Sequence, residues 1–260
     1  MAEPSVQSRE IDGIPVVWLL PESRPRGAAL WLTHLGGSTG QTVPMLTRLA
    51  DRGLLAVSFD PPGHGRRGTL PPQELAGAIL SAFRRRMWPL LGRTTVECLR
   101  VLDWIDQEFA VPGPRVAGGV SMGGDVAVAL AGIDARITRV SGIVSTPDWT
   151  RPGMTALGDP SELLEQGAAD SYARWFYDAL DPLSHVDAYR RNVAIDFQCG
   201  AADTHVPADG ALRFRDRLVE RDPDSARRIR VDVHPGLSHL DGGRDDKLWT
   251  NALDWLADAE

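Results

Sequence analysis

Short apolar runs alternate along the chain with longer stretches whose apolar residues recur at helical spacing. Runs 6–11 and 16–20 flank Asp12-Gly13, a tight-turn pair, and predict an opening antiparallel hairpin. Runs 28–33, 54–59, 115–120, 137–145, 193–199 and 229–234 are the strand candidates that follow. Several end in glycine or proline, as strands buried on both faces of a parallel sheet do. Helices are predicted at 42–52, with Gly53 as C-terminal cap, and at 74–88, stopping before Pro89. Further helices are predicted at 94–108, 122–131, 211–220 and 247–257. Strands separated by helices imply an α/β fold, here a mostly parallel sheet of about eight strands with helices on both faces.

One stretch departs from this rhythm. Residues 146–192 lie between two strand candidates and carry Trp149, Tyr172, Trp175, Phe176 and Tyr177, with helices expected at 161–166 and 169–179. An insertion of that length in a single domain spanning 1–260 is expected to form a lid over the carboxyl ends of the strands. The alternative is a peripheral insertion that packs its aromatics on the core.

The sharpest local signal is Gly119-Val120-Ser121-Met122-Gly123, a G-x-S-x-G element between a predicted strand and a predicted helix. Such a turn lifts the serine hydroxyl clear of the sheet and aims the positive end of the helix at it. A serine nucleophile needs a base, and the base an orienting acid. Asp203 follows the strand candidate at 193–199, and His239 follows the one at 229–234. Asp148 is the rival acid and His234 the rival base, while His205 and His185 read as neighbours rather than participants. The oxyanion donors expected are the N–H of Met122 and one N–H from His34-Leu35-Gly36-Gly37, Gly36 first and Leu35 second. His34, Trp149 and Trp175 are the expected substrate contacts.

Composition narrows the partners. Hydrophobic residues make up 43% and charged residues 24%, an ordinary globular balance. The net charge of −7 argues against nucleic acid. The runs Arg66-Arg67 and Arg84-Arg85-Arg86 read as solvated faces, with an anion-preferring site as the alternative. Cys98 and Cys199 have no metal or redox spacing and are expected as buried, reduced thiols. No metal site is expected. Residues 1–15 lack the pattern of a signal peptide, and no window is apolar enough for a membrane span, so a cytoplasmic protein without membrane contact is expected.

Taken together, His34-Leu35-Gly36-Gly37, Asp60-Pro61-Pro62-Gly63-His64-Gly65, the Ser121 element, Asp203-Thr204-His205-Val206-Pro207 and His239 resemble the α/β-hydrolase superfamily. Within it the chain is most similar to small bacterial esterases of the dienelactone-hydrolase and prolyl-oligopeptidase-like branch. The resemblance implies a Ser121–His239–Asp203 triad, no cofactor, and hydrolysis of an ester, thioester or amide through an acyl-enzyme; the expected protein is a carboxylesterase-like enzyme acting on a small, partly apolar ester or thioester, monomeric or homodimeric. Acyl transfer or thioester cleavage in biosynthesis is the runner-up, and a ligand-binding descendant of low turnover the third reading. The chain departs from the pattern at His34-Leu35, where the family usually has His-Gly.

Overall fold

Asp12 and Gly13 both adopt positive φ, 49° and 78°, closing the hairpin of β1 (Gln7–Ile11) and β2 (Ile14–Leu19). In this computed structural model residues 6–258 are described. Residues 1–5, part of the stretch in which no signal peptide is expected, lie outside them. After the hairpin come β3 (Gly27–Leu32), α1 (Thr39–Ala50), β4 (Leu54–Phe59), α2 (Pro72–Leu80) and α3 (Phe83–Phe109). The centre of the chain holds β5 (Arg115–Val120), α4 (Met122–Ile133) and β6 (Ile137–Ile143). The insertion carries β7 (Thr155–Ala156), β8 (Asp159–Leu163) and α5 (Ser171–Leu180). The chain then runs through β9 (Ala194–Gly200), α6 (Asp209–Arg221), β10 (Ile229–His234), α7 (His239–Gly242) and α8 (Asp246–Ala257).

Eight strands form one sheet in the order β1-β2-β4-β3-β5-β6-β9-β10, antiparallel at its β1–β2–β4 edge and parallel elsewhere. Every residue of β3 and β4 is buried, which explains their unbroken apolar character. One face packs against α1 and α8 through Leu46, Leu49, Leu253 and Leu256. The other packs against α3, α4 and α6 through Leu102, Val126 and Phe214. The mostly parallel α/β-hydrolase sheet expected from the sequence is therefore present. Because β5 lies at its centre, the turn after β5 opens at the middle of the carboxyl edge, where ligands of such sheets bind.

Three expected helices differ. The helices placed at 74–88 and 94–108 are divided elsewhere, because α2 ends before Ser81 and α3 runs unbroken through Pro89. The break falls at Ala82, whose φ of −148° and ψ of 58° leave the helical region. Burial of Phe83, Met87, Trp88, Leu90 and Leu91 along α3 offsets the hydrogen bond that proline cannot make. No helix forms at 161–166: residues 161–163 belong to strand β8 of a hairpin with β7, turned by Gly158 at φ 87° with Thr155 paired to Leu163. The strand is exposed along its length, so no apolar face was there to mark it. Among the described residues no helix is long and apolar enough to cross a membrane.

Candidate active site

Ser121 sits between β5 and α4 with φ 52° and ψ −120°, a conformation held from both sides. Its N–H donates to the Ile143 carbonyl at 2.8 Å, and its own carbonyl accepts from Asp125 N–H at 3.1 Å. The flanking glycines are required by crowding. A Cβ on Gly119 would lie 2.6 Å from the Leu32 carbonyl oxygen, and one on Gly123 would overlap the same carbonyl. Small residues therefore let α4 approach β3 closely enough to project the serine above the sheet edge.

The partners arrive from the neighbouring strands. Asp203 follows β9 and is buried; its Oδ1 accepts the N–H groups of His205 at 3.0 Å and Val206 at 2.7 Å. Its Oδ2 lies 2.8 Å from Nδ1 of His239, and His239 Nε2 lies 3.1 Å from Ser121 Oγ. With Nδ1–H donating to the carboxylate, the Nε2 lone pair is left facing the serine hydroxyl. His239 opens the short helix α7, whose N-cap Ser238 accepts from Asp241 N–H. The rivals are engaged elsewhere: His234 bonds Gln198 Oε1 at 2.8 Å, and Asp148 pairs with Arg213 at 2.6 Å. His185 contacts the Asp178 carbonyl.

The N–H groups of Met122, Leu35 and Gly36 have no acceptor among the described residues. Met122 is the first residue of α4, where unpaired amides and the helix dipole favour negative charge. Leu35 borders the cavity beside Ser121, whereas a Cβ on Gly36 would point at the Pro72 carbonyl. Of the two candidate loop donors, Leu35 is thus the one at the cavity.

That cavity, about 210 Å³, is walled by Leu80, Phe83, Met87, Leu157 and Leu240 and reaches Ser121, His239 and His34. Neither tryptophan expected to touch substrate lines it. Trp149 is buried in the core, its carbonyl accepting from Trp88 Nε1 at 2.8 Å. Trp175 is 61% exposed because α5 turns that residue outward while burying Ala173, Phe176 and Leu180. The insertion instead reaches the cavity through Arg151 and Leu157. The arginine runs stay outside it: Arg84 bonds Gln166, Arg85 Asp170, Arg86 the Ala78 carbonyl, and Arg67 Glu97.

Three polar cavity residues were not assigned to the site from sequence. His205 lies with its ring 5.0 Å from that of His239 and donates Nδ1–H to the Thr155 carbonyl at 2.9 Å. Burial, with the nearby His239 and Arg151, pushes its pKa down to about 4, so it is neutral at physiological pH. Arg151 pairs with Asp125, four residues beyond the serine, and Arg244 follows α7 at the cavity rim. Arg244 stands five residues after His239, a proximity that was visible, but nothing local marks Arg151. Among the described residues no cluster of His, Cys, Asp or Glu has the makings of a metal site. Cys98 and Cys199 are buried free thiols.

The description of the prolyl oligopeptidase family matches residues 45–259. Among curated proteins none matches the sequence. Solved structures similar in fold include Thermus thermophilus TT1662, 23% identical with a TM-score of 0.73, covering 98% of this chain and 100% of that one. A Pyrococcus furiosus esterase is 13% identical with a TM-score of 0.63, over 98% of this chain and 91% of that one. A Pyrococcus horikoshii acylaminoacyl peptidase is 15% identical with a TM-score of 0.67, over 99% of this chain but 42% of that one. At such identities the likeness establishes the fold.

Proposed function

The chain belongs to the prolyl oligopeptidase family and is a serine hydrolase, and from that premise we propose that it cleaves carboxylic esters of small, partly apolar substrates through an acyl-enzyme on Ser121. The observation that carries this reading is the hydrogen-bonded chain from Ser121 Oγ through His239 to Asp203. His239 Nε2 takes the hydroxyl proton as Oγ attacks the ester carbonyl, and Asp203 stabilises the imidazolium that forms. The N–H groups of Met122 and Leu35 receive the oxyanion. His239 then returns the proton to the leaving alcohol, the C–O bond breaks, and water repeats the sequence to free the acid. A small cavity with leucine, phenylalanine and methionine walls suits a compact, partly apolar acyl or alcohol group.

Acyl transfer is the second reading, favoured by one feature. A further space of about 190 Å³ lies under hairpin β7–β8 and shares His205, His239, Leu157 and Leu240 with the first. An acceptor alcohol seated there would meet the same base as water. New ester product in the presence of an added alcohol would mark this activity.

The test is labelling with a fluorophosphonate, mapped by mass spectrometry, alongside hydrolysis of short 4-nitrophenyl esters by wild type and Ser121→Ala. Stoichiometric label on Ser121 and a loss of at least about 10⁴-fold in kcat are expected. Label elsewhere, or turnover unchanged without Ser121, would overturn the assignment.

A further inference from the structure

Helix α2 serves two spaces. Ala76 and Leu80 line the catalytic cavity, whereas Leu75 and Ile79 line a second groove of about 470 Å³ between α2 and α3. The two spaces share no lining residue. Pro89 and Leu90 extend the apolar lining of the groove, and Tyr172, 58% exposed, adds an aromatic ring.

Four guanidinium groups line the same groove, those of Arg67, Arg85, Arg86 and Arg93, and no carboxylate does. Two are neutralised from outside it: Arg67 pairs with Glu97 through both terminal nitrogens, and Arg85 pairs with Asp170. Arg86 donates to the Ala78 carbonyl and lies 3.5 Å from Ser81 Oγ, neither of which carries charge. Arg93 is exposed, and its side chain makes no ion pair or hydrogen bond among the described residues. Two positive charges are thus left uncompensated, in a chain of net charge −7. A plain solvated face would spread such charges apart. Here cations from two separate segments, 66–67 and 84–93, gather about one apolar groove, and their repulsion is relieved only by an anion among them.

The spacing of the cations narrows the anion. Arg86 and Arg93 stand two turns apart on one face of α3, about 10 Å along the helix axis. That span exceeds a single carboxylate or phosphate and suits a chain of phosphates, whose oxygens match the guanidinium fork. The apolar and tyrosine lining suits a ring system, and the volume falls in the range of roughly 300–1,000 Å³ usual for small organic ligands.

We propose that this groove is a binding site, separate from the catalytic cavity, for an organic polyphosphate. Its phosphates meet Arg86 and Arg93, and its ring lies against Leu75, Ile79, Pro89 and Tyr172. The site does not depend on the esterase reading of Ser121.

Calorimetric titration of the whole protein with ATP and with coenzyme A tests it. At least one of the two is expected to bind with a Kd of about 100 µM or tighter at low salt. Arg93→Gln should weaken that binding about tenfold, and Arg86→Gln added to it should remove the rest. Arg93 is exposed and unpartnered, so its replacement leaves the fold and ester turnover unchanged. Affinity should also fall several-fold as salt is raised, because both cations are exposed to solvent. Ser121→Ala should leave the Kd as it is, whatever becomes of ester hydrolysis. Binding of ATP alone would point to a nucleotide's phosphate chain, and of coenzyme A alone to a ligand with phosphates at two places. Neither compound binding at about 1 mM overturns the proposal. So does an affinity that survives the double variant or is lost in Ser121→Ala. Adenosine or inorganic triphosphate bound as tightly as ATP overturns it too, since phosphates or ring would then contribute nothing.

Discussion

The turn around Ser121 and the insertion that faces it are built on opposite terms. In the turn, Gly119, Gly123 and Gly124 press α4 against β3, β6 and the Ser145 side chain, and most of α4 is buried. In the insertion, β8 is exposed throughout and α5 shows Tyr172 and Trp175 to solvent. Backbone crowding leaves the turn one arrangement, whereas the insertion is held by one buried face, Trp149, Phe176, Leu180 and Tyr189 among it, and by a few polar contacts. Asp125 to Arg151 is one, and Asp181, which accepts from Trp149 N–H, Ser184 N–H and Ser184 Oγ, is another. A site can thus keep its chemistry in the rigid half while specificity is set from the other.

The largest effect should come from cutting the anchor that joins the halves. Arg151→Met leaves Asp125 buried without its partner and is expected to cost about 3–5 kcal/mol in urea unfolding. Asp125→Asn in the same chain should recover most of that loss, since the Asn carbonyl still accepts from Thr146 N–H. Failure of the double variant to recover would mean the pair is not what holds the halves together.

Asp181 gives the next effect, and it depends on pH. Burial pushes its carboxyl up to about 6, against about 4 in an unfolded chain. Between those values the folded state binds more protons, so this residue's contribution to stability falls as pH rises through the window. Asp181→Asn does not titrate. Relative to wild type it should gain up to about 3 kcal/mol between pH 4 and pH 7, read by urea midpoints at both. A difference constant with pH would show that the carboxyl ionises freely in the fold.

Gly123→Ala tests the rigid half. A methyl there meets the Leu32 carbonyl and comes within 2.8 Å of the Thr33 oxygen, so α4 must shift. A cost of about 2 kcal/mol is expected. Displacement of the Met122 N–H should also lower kcat by about 10²-fold, measured with a 4-nitrophenyl ester. At the small end, Trp175→Ala should change stability by less than about 0.5 kcal/mol and kcat/KM by less than about twofold, because the ring stands outside the cavity.

The contrast also explains what could be read in advance. Strands β4 and β5 and the approach to Ser121 are legible because burial on both faces and tight turns restrict which residue types fit. The expected placement of Asp203 and His239 used the same logic, since each stands just beyond a strand of one sheet edge. Elsewhere the constraints are not local. The Pro89 ring reads as a helix stop until the buried face of α3 is known, and β8 has no apolar period to separate it from a helix. Aromatic content suggested that Trp149 and Trp175 face the substrate, yet aromatics fill cores and decorate surfaces as readily as pockets. The Asp125–Arg151 pair joins residues 26 apart, and only their common burial brings them together.

Ser121, at φ 52° and ψ −120°, occupies a backbone region that glycine enters freely and a side chain enters at a cost of about 1–3 kcal/mol. The residue that would best suit the chain there is therefore the one that cannot do the proposed chemistry. Selection for a stable fold and selection for a nucleophile pull this single position in opposite directions, and the close packing of α4 is what allows the second to prevail.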